Sequence, residues 1–273
     1  MSERRVVLVT GATDGIGRAT ARALAAAGMK VVVHGRSKVK VDATLAQLAS
    51  ELPGAELEGV SFDLGRKEAV KNGAAQLLER VPQLHVVVNN AGIFAGERSV
   101  TDDGVELTMA VNYFGPFMLT ELLKQRLVDS ATEGPSRVVN VSSIAHARGR
   151  IHLNDLSLAT AWTGYAAYAQ SKLAQVMHAI SLAEKSDAAK LVAYSVHPGV
   201  ISTKLLRQGF GPVAGASAEK GAATQSMLAG KIDVDEPSGT YYSDGVASKP
   251  APSALDEATR QQLWLESIRY AGL

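Results

Sequence analysis

Residues 5–17 read RVVLVTGATDGIG, and the chain continues as RATARALAAAG to residue 28. Val6 to Thr10 form a short apolar run rich in β-branched residues. Beyond the glycines, alanine and leucine recur at helical spacing. Strand, glycine turn and helix in that order describe a phosphate-binding unit. Gly11 permits the tight turn, Gly15 lets backbone approach a pyrophosphate, and Gly17 allows the helix to pack closely on the strand. Ile16 stands between the last two glycines, in the first turn of the helix. There, unpaired N–H groups and the positive end of the helix dipole favour an anion. A second strand-like run, 30–35, follows at the βαβ distance, so the unit reads as a dinucleotide site.

Outward from this unit, strand-like runs alternate with helical patterns. Strands are expected near 5–10, 30–35, 57–62, 84–89, 136–141, 191–197 and 239–242. Helices are expected near 15–27, 38–51, 66–80, 102–130, 163–186, 216–230 and 256–269. This alternation predicts an α/β fold of Rossmann type, a doubly wound parallel sheet of about seven strands with helices on both faces. The stretch 205–218, rich in Gly, Ala and Pro, reads either as a mobile loop or lid or as an ordinary surface connection. The 273 residues fit one domain, with no internal repeat and no long linker.

The chemistry lies further along. Tyr168 and Lys172 stand at i and i+4 in YAQSK, so a helix places them on one face. A lysine ammonium beside a phenol favours the phenolate, below its free pKa of ~10. A tyrosine so tuned exchanges a proton with an alcohol or carbonyl. Tyr165 has Ala169 at i+4 and lacks such a partner.

Six motifs in order now carry a resemblance. TGATDGIG at 10–17, NNAG at 89–92, Asn112 in VNYFGPF, Ser143 after RVVNVS, YAQSK, and HPGVISTK at 197–204 together resemble the short-chain dehydrogenase/reductase family, nearly end to end. The C-terminal GTYYSDGVASKPAP and LDEATRQQLWLES, with the stretch between Ser143 and Tyr168, look like its retinol dehydrogenase-like branch. The resemblance implies an oxidoreductase moving hydride between a nicotinamide and an alcohol, aldehyde or ketone. Ser143, favoured over the adjacent Ser142, would hydrogen-bond the substrate oxygen. Tyr168 would give or take its proton, and Lys172 would hold the nicotinamide ribose. Asn112 would distort its helix locally and hold a relay water through its main-chain carbonyl.

The same resemblance divides the chain into a cofactor-binding part, about 1–150, and a catalytic and substrate-binding part, about 140–273. Asp63, with Leu64 beside it, would contact the adenine; a helix N-cap is the structural alternative for Asp63. Asn90, Ala91 and Gly92 would lie along the adenosine ribose, and Asn89 would brace the sheet. Pro198 and Gly199 would aim the Val200 main chain at the nicotinamide amide, with Thr203 adding a hydroxyl. Gly35 stands where an NAD-dependent relative would carry Asp, and Arg36 follows it. A guanidinium suits a 2′-phosphate in charge and geometry. NADP(H) is therefore the expected cofactor, with NAD(H) as the alternative. Asp14 argues the other way, since some NADP-dependent relatives place a base at that position. A sugar-nucleotide-modifying extended relative and a non-catalytic dinucleotide-binding sensor are competing readings.

Composition sets limits. A net charge of +1 with interspersed signs gives no basic stripe for nucleic acid, and there are no cysteines for disulfides or thiolate chemistry. No His/Asp/Glu cluster has metal-ligand spacing, so no metal is expected. MSERR runs straight into the first strand, and no apolar stretch reaches the ~18 residues of a membrane span. A cytoplasmic protein without a membrane partner is expected. The family habit suggests a homodimer or homotetramer through the long helices.

Overall fold

In a computed structural model, which describes residues 4–231 and 234–273, the quoted stretch forms β1 (Val6–Val9), a turn and α1 (Gly15–Ala26). Met1 to Glu3 of the opening stretch lie outside the described residues. All four β1 side chains are buried and divide between two faces. Val6 and Leu8 enter one apolar cluster; Val7 and Val9 enter another. A parallel strand covered by helices on both sides requires such two-sided burial.

The sheet runs β3-β2-β1-β4-β5-β6-β7-β8. Beside β1 lie β2 (Lys30–Gly35), β3 (Leu57–Ser61), β4 (Val86–Asn89), β5 (Ser136–Val141), β6 (Leu191–His197) and β7 (Tyr241–Ser243), all parallel. An eighth strand, β8 (Val246–Ser248), returns antiparallel to β7. The sequence pattern misses it because three largely exposed residues show no apolar alternation. The strand order reverses between β1 and β4, and open α/β sheets place ligands in the crevice above such a switch point.

On one face lie α1, α2 (Lys38–Glu51) and α8 (Ala218–Gly230); on the other lie α3 (Lys67–Arg80), α5 (Gly115–Asp129) and α6 (Gly164–Glu184). The single helix expected over 102–130 is instead α4 (Leu107–Met109), a π-helical turn (Ala110–Phe114) and α5. The stretch expected as a loop or lid begins with a helix, α7 (Lys204–Phe210), capped by the Thr203 hydroxyl on the Leu206 N–H.

The last helix, α9 (Glu257–Ala271), packs on α5, α6 and the π-turn. Trp264 meets Phe117 edge-on at 5.0 Å, Tyr270 lies 4.5 Å from Phe114, and Arg260 pairs with Glu184 at 2.5 Å. The Tyr113 hydroxyl and Ser267 hydroxyl are 2.8 Å apart, both buried. α9 thus covers part of α5 and α6 with the chain's own residues.

Candidate active site

α6 starts where the Thr163 hydroxyl accepts the Ala166 N–H at 3.0 Å. Nearly every side chain after its first turn is buried, so Tyr168 and Lys172 are held rather than solvated. Lys172 Nζ lies 5.6 Å from the Tyr168 ring centre and donates to the Val141 carbonyl at 2.8 Å, at the end of β5. Burial brings Lys172 down to about 8. Tyr168 does not show the expected lowering. Burial pushes it up to about 12, with a hydrogen bond from Ser143 acting against that. The reason is placement: the ammonium is turned to a carbonyl and lies beyond hydrogen-bond reach of the ring.

The two serines separate. Ser142 donates to the Lys172 carbonyl at 2.7 Å and locks β5 to α6, whereas the Ser143 hydroxyl reaches Tyr168 and accepts from the Ala145 N–H. Two histidines hold this serine turn. His146 Nδ1 donates to the Ser143 carbonyl at 2.7 Å while its Nε2 accepts from the Ala251 N–H, and His197 Nδ1 accepts from the Ile144 N–H at 3.2 Å. Neither role is legible in sequence. His152 is exposed, and the Trp162 indole donates to buried Glu106 at 3.2 Å.

Asn112 sits in the π-turn, fully buried. Its amide accepts from the Ile93 N–H at 2.8 Å and donates to the Ile93 carbonyl and the Ser171 hydroxyl, each at 3.0 Å. Its main-chain carbonyl, expected to hold a water, accepts from the Gln175 side chain. Gln175 lies seven positions after Tyr168, and sequence reasoning passes over it.

The glycine turn is built by contact as much as by conformation. Gly11 has φ +64, and a Cβ there would stand 2.8 Å from Ala91 Cα. A Cβ on Gly17 would fall 2.2 Å from the Gly11 carbonyl and 2.4 Å from Asn90 Nδ2. Asn90 Nδ2 donates to the Thr10 carbonyl at 2.9 Å, tying β4 to the turn after β1. His34 does the same from β2: Nδ1 accepts the Gly11 N–H at 3.3 Å and Nε2 donates to the Phe62 carbonyl at 3.1 Å. Asn89 bridges to Asn140 at 2.9 Å and braces the sheet. Ile16 and Gly15 open α1, where Asp14 caps the Gly15 N–H at 2.9 Å.

Arg36 is exposed just past β2. A Cβ at Gly35 would come within 2.6 Å of Thr13 Cγ2, so Thr13 occupies the space a carboxylate there would need. Asp63 is not the N-cap of α3. It accepts from the Gly65 N–H at 2.9 Å, and Arg66 takes the cap position. Leu64 is buried against Gly115. Gly92 faces Lys172 Nζ and Asn112 Oδ1, which lie 3.4 and 3.5 Å from where its Cβ would be. Pro198, Gly199 (φ +89) and half-exposed Val200 follow β6, and the Val200 carbonyl accepts from the Ala216 N–H. The structure therefore gathers the four candidate catalytic residues into one place, with the glycine turn on the neighbouring strand ends. Phe94 and Phe210 lie 5.6 and 6.1 Å from the Tyr168 ring, and Leu205 packs beside them.

No helix among the described residues is long and apolar enough to cross a membrane, and the described residues show no cluster suited to a metal ion. Comparison with known proteins gives a consistent picture. The model of a family described as short chain dehydrogenase matches residues 5–210. Human retinol dehydrogenase 12 is 34% identical, over 98% of this chain and 87% of its own length. Mouse polyprenol dehydrogenase is 36% identical, over 98% of this chain and 84% of its own. The crystal structure of an uncharacterized protein from Mycobacterium paratuberculosis superposes with a TM-score of 0.81 at 30% identity, covering 98% of this chain and 93% of that one.

Proposed function

This chain belongs to the short-chain dehydrogenase family of oxidoreductases, and we propose that within it the protein is an NADP(H)-dependent alcohol dehydrogenase or carbonyl reductase. The observation that carries this reading is buried Tyr168 with buried Lys172 at i+4 on α6, the Lys172 Nζ 5.6 Å from the tyrosine ring, and Ser143 at the adjoining end of β5.

The residues present fit a dinucleotide. The tight turn at Gly11, the close packing of the turn on α1 that Gly17 permits and the first turn of α1 present backbone rather than side chains to an anion. Gly11, Gly15, Ile16 and Gly17 would hold the pyrophosphate, and Asp63, Leu64, Asn90, Ala91 and Gly92 would line the adenosine. Lys172 and the 198–203 segment, with Pro198, Gly199, Val200 and Thr203, would hold the nicotinamide end. Residues 1–150 then serve chiefly the cofactor, and 140–273 the substrate. Arg36, with no carboxylate at Gly35, favours a 2′-phosphate. When bound, the nicotinamide supplies or accepts the hydride.

The protein supplies the proton and the orientation. A phenol held up at about 12 keeps its proton at neutral pH and donates it to a substrate oxygen accepting hydride. Ser143 donates to the same oxygen and steadies its developing charge. Lys172 lies 5.6 Å from the ring and is held on the Val141 carbonyl, so a proton it returns to Tyr168 crosses a bridging hydroxyl or water. Phe94, Leu205 and Phe210 present an apolar wall to the tyrosine, which suits an apolar alcohol, aldehyde or ketone. The names of the retinol and polyprenol dehydrogenase relatives point to substrates of that kind.

Oxidation of NADPH with a panel of aldehydes and ketones, run beside NADH, tests the reading. Tyr168→Phe should lower turnover by at least about a hundredfold while NADPH still binds. Undiminished turnover in that variant rejects the mechanism.

A further inference from the structure

Asp14 is the residue of the glycine turn that argues against a phosphorylated nucleotide, and the structure gives it a partner from far along the chain. While one carboxylate oxygen caps the Gly15 N–H, the other lies 2.6 Å from Lys204 Nζ, the first residue of α7. The preceding residue, Thr203, rests its methyl 3.4 Å from where a Gly15 Cβ would be. The far end of α7 reaches the other half of the site, where Phe210 packs on Phe94 and Tyr168. One short helix thus spans from the glycine turn to the catalytic tyrosine.

Both partners of the ion pair are largely exposed, at 72% and 66% of the side chain, and pairs of that kind contribute little to stability. Their effect falls on the local potential. Arg36 and Lys40 stand exposed at the adjoining end of β2 and start of α2, and Lys40 acts on Asp14 across the gap. Lys38 is taken up by Asp42 at 2.7 Å. Without Lys204, the Asp14 carboxylate would face that mouth with only Lys40 acting across the gap against its charge, and a second anion would be repelled.

We propose that Lys204 is a specificity-determining residue for the 2′-phosphate of NADP(H), acting from α7 by neutralising Asp14 at the glycine turn. The proposal rests on the NADP(H) reading above. It assigns the turn's missing base to an element after β6, and so links recognition of the adenosine end to the placement of α7 over Tyr168.

Dissociation constants for NADPH and NADH, read from nucleotide fluorescence, test it in the wild type, Lys204→Gln, Asp14→Asn and the double variant. Lys204→Gln should weaken NADPH by about fivefold and leave NADH within about twofold. The double variant, which replaces a neutral pair by a neutral pair, should restore NADPH affinity. Equal weakening of both nucleotides would mean that Lys204 only docks α7, and it overturns the proposal. So does a double variant as weak as Lys204→Gln alone. A wild type that binds NADH as tightly as NADPH overturns the NADP(H) reading itself, whatever the variants do.

Discussion

Asn112→Ala removes a buried amide with three hydrogen bonds, the one to Ser171 buried and the two to Ile93 part-buried. The Ile93 N–H, the Ile93 carbonyl and the Ser171 hydroxyl each lose a partner at 2.8 to 3.0 Å, and Asn112 itself is fully excluded from solvent. Each lost bond costs about 1 to 1.5 kcal/mol, or about 3 to 4.5 kcal/mol together. In a chain of this size, 1 kcal/mol corresponds to roughly 2 °C, so Tm should fall by about 6 to 9 °C. Differential scanning calorimetry measures this directly. Turnover is compared at a temperature well below both midpoints, so that a fall reports the site rather than unfolding. Ser171→Ala and the double variant complete a cycle, with a coupling of about 1 kcal/mol expected between Asn112 and Ser171. A fall of less than about 2 °C, or strict additivity with Ser171→Ala, would refute the claim that this amide pins the π-turn to the segment after Gly92.

Gly35→Asp should not by itself create a preference for NADH. Its Cβ would come 2.6 Å from Thr13 Cγ2, so a lowered Tm and weakened NADPH binding are expected, and a stable NADH-selective variant would contradict the packing. Burial holds His34 at about 4, below its ordinary 6.5. The unfolded chain therefore binds more protons between those values, and stability is lost as pH falls through them, by roughly 2 kcal/mol at pH 5. Urea midpoints at pH 7 and pH 5 should differ less for His34→Asn than for the wild type; equal differences would remove His34 from the acid response. Ser267→Ala strands the buried Tyr113 hydroxyl and should cost about 1 to 2 kcal/mol in urea unfolding, with Tyr113→Phe, Ser267→Ala together recovering part of it.

Much of this architecture is legible in the residues. The β-branched runs VVLV, KVVVHG and RVVNV gave the parallel strands because continuous burial leaves a continuous apolar signal. β8 was marked too, by Asp244-Gly245, whose φ values of +50 and +85 make a two-residue hairpin. A strand-alternation rule overlooks that pair because the strand after it is short and exposed. The π-turn has no local signature, since Ala110 to Phe114 continue the helical pattern and the widening comes from contacts with Ile93, Gln175 and Ser267. The Tyr168–Lys172 spacing was readable; the lysine's bond to Val141 was not, because it depends on where β5 ends. The Lys204–Asp14 pair, 190 residues apart in sequence, illustrates the same limit.

The packing of α9 against the π-turn bears on the order in which the protein is made. The Tyr113–Ser267 bond joins residues 154 apart. A nascent chain emerging from the ribosome can assemble β1 to β6 and the whole glycine turn while the asparagine's turn still lacks its brace. Nucleotide binding during synthesis could therefore precede competence for chemistry. Pulse-labelled, stalled chains that end before Glu257 should capture nucleotide with turnover lower than that of the full chain.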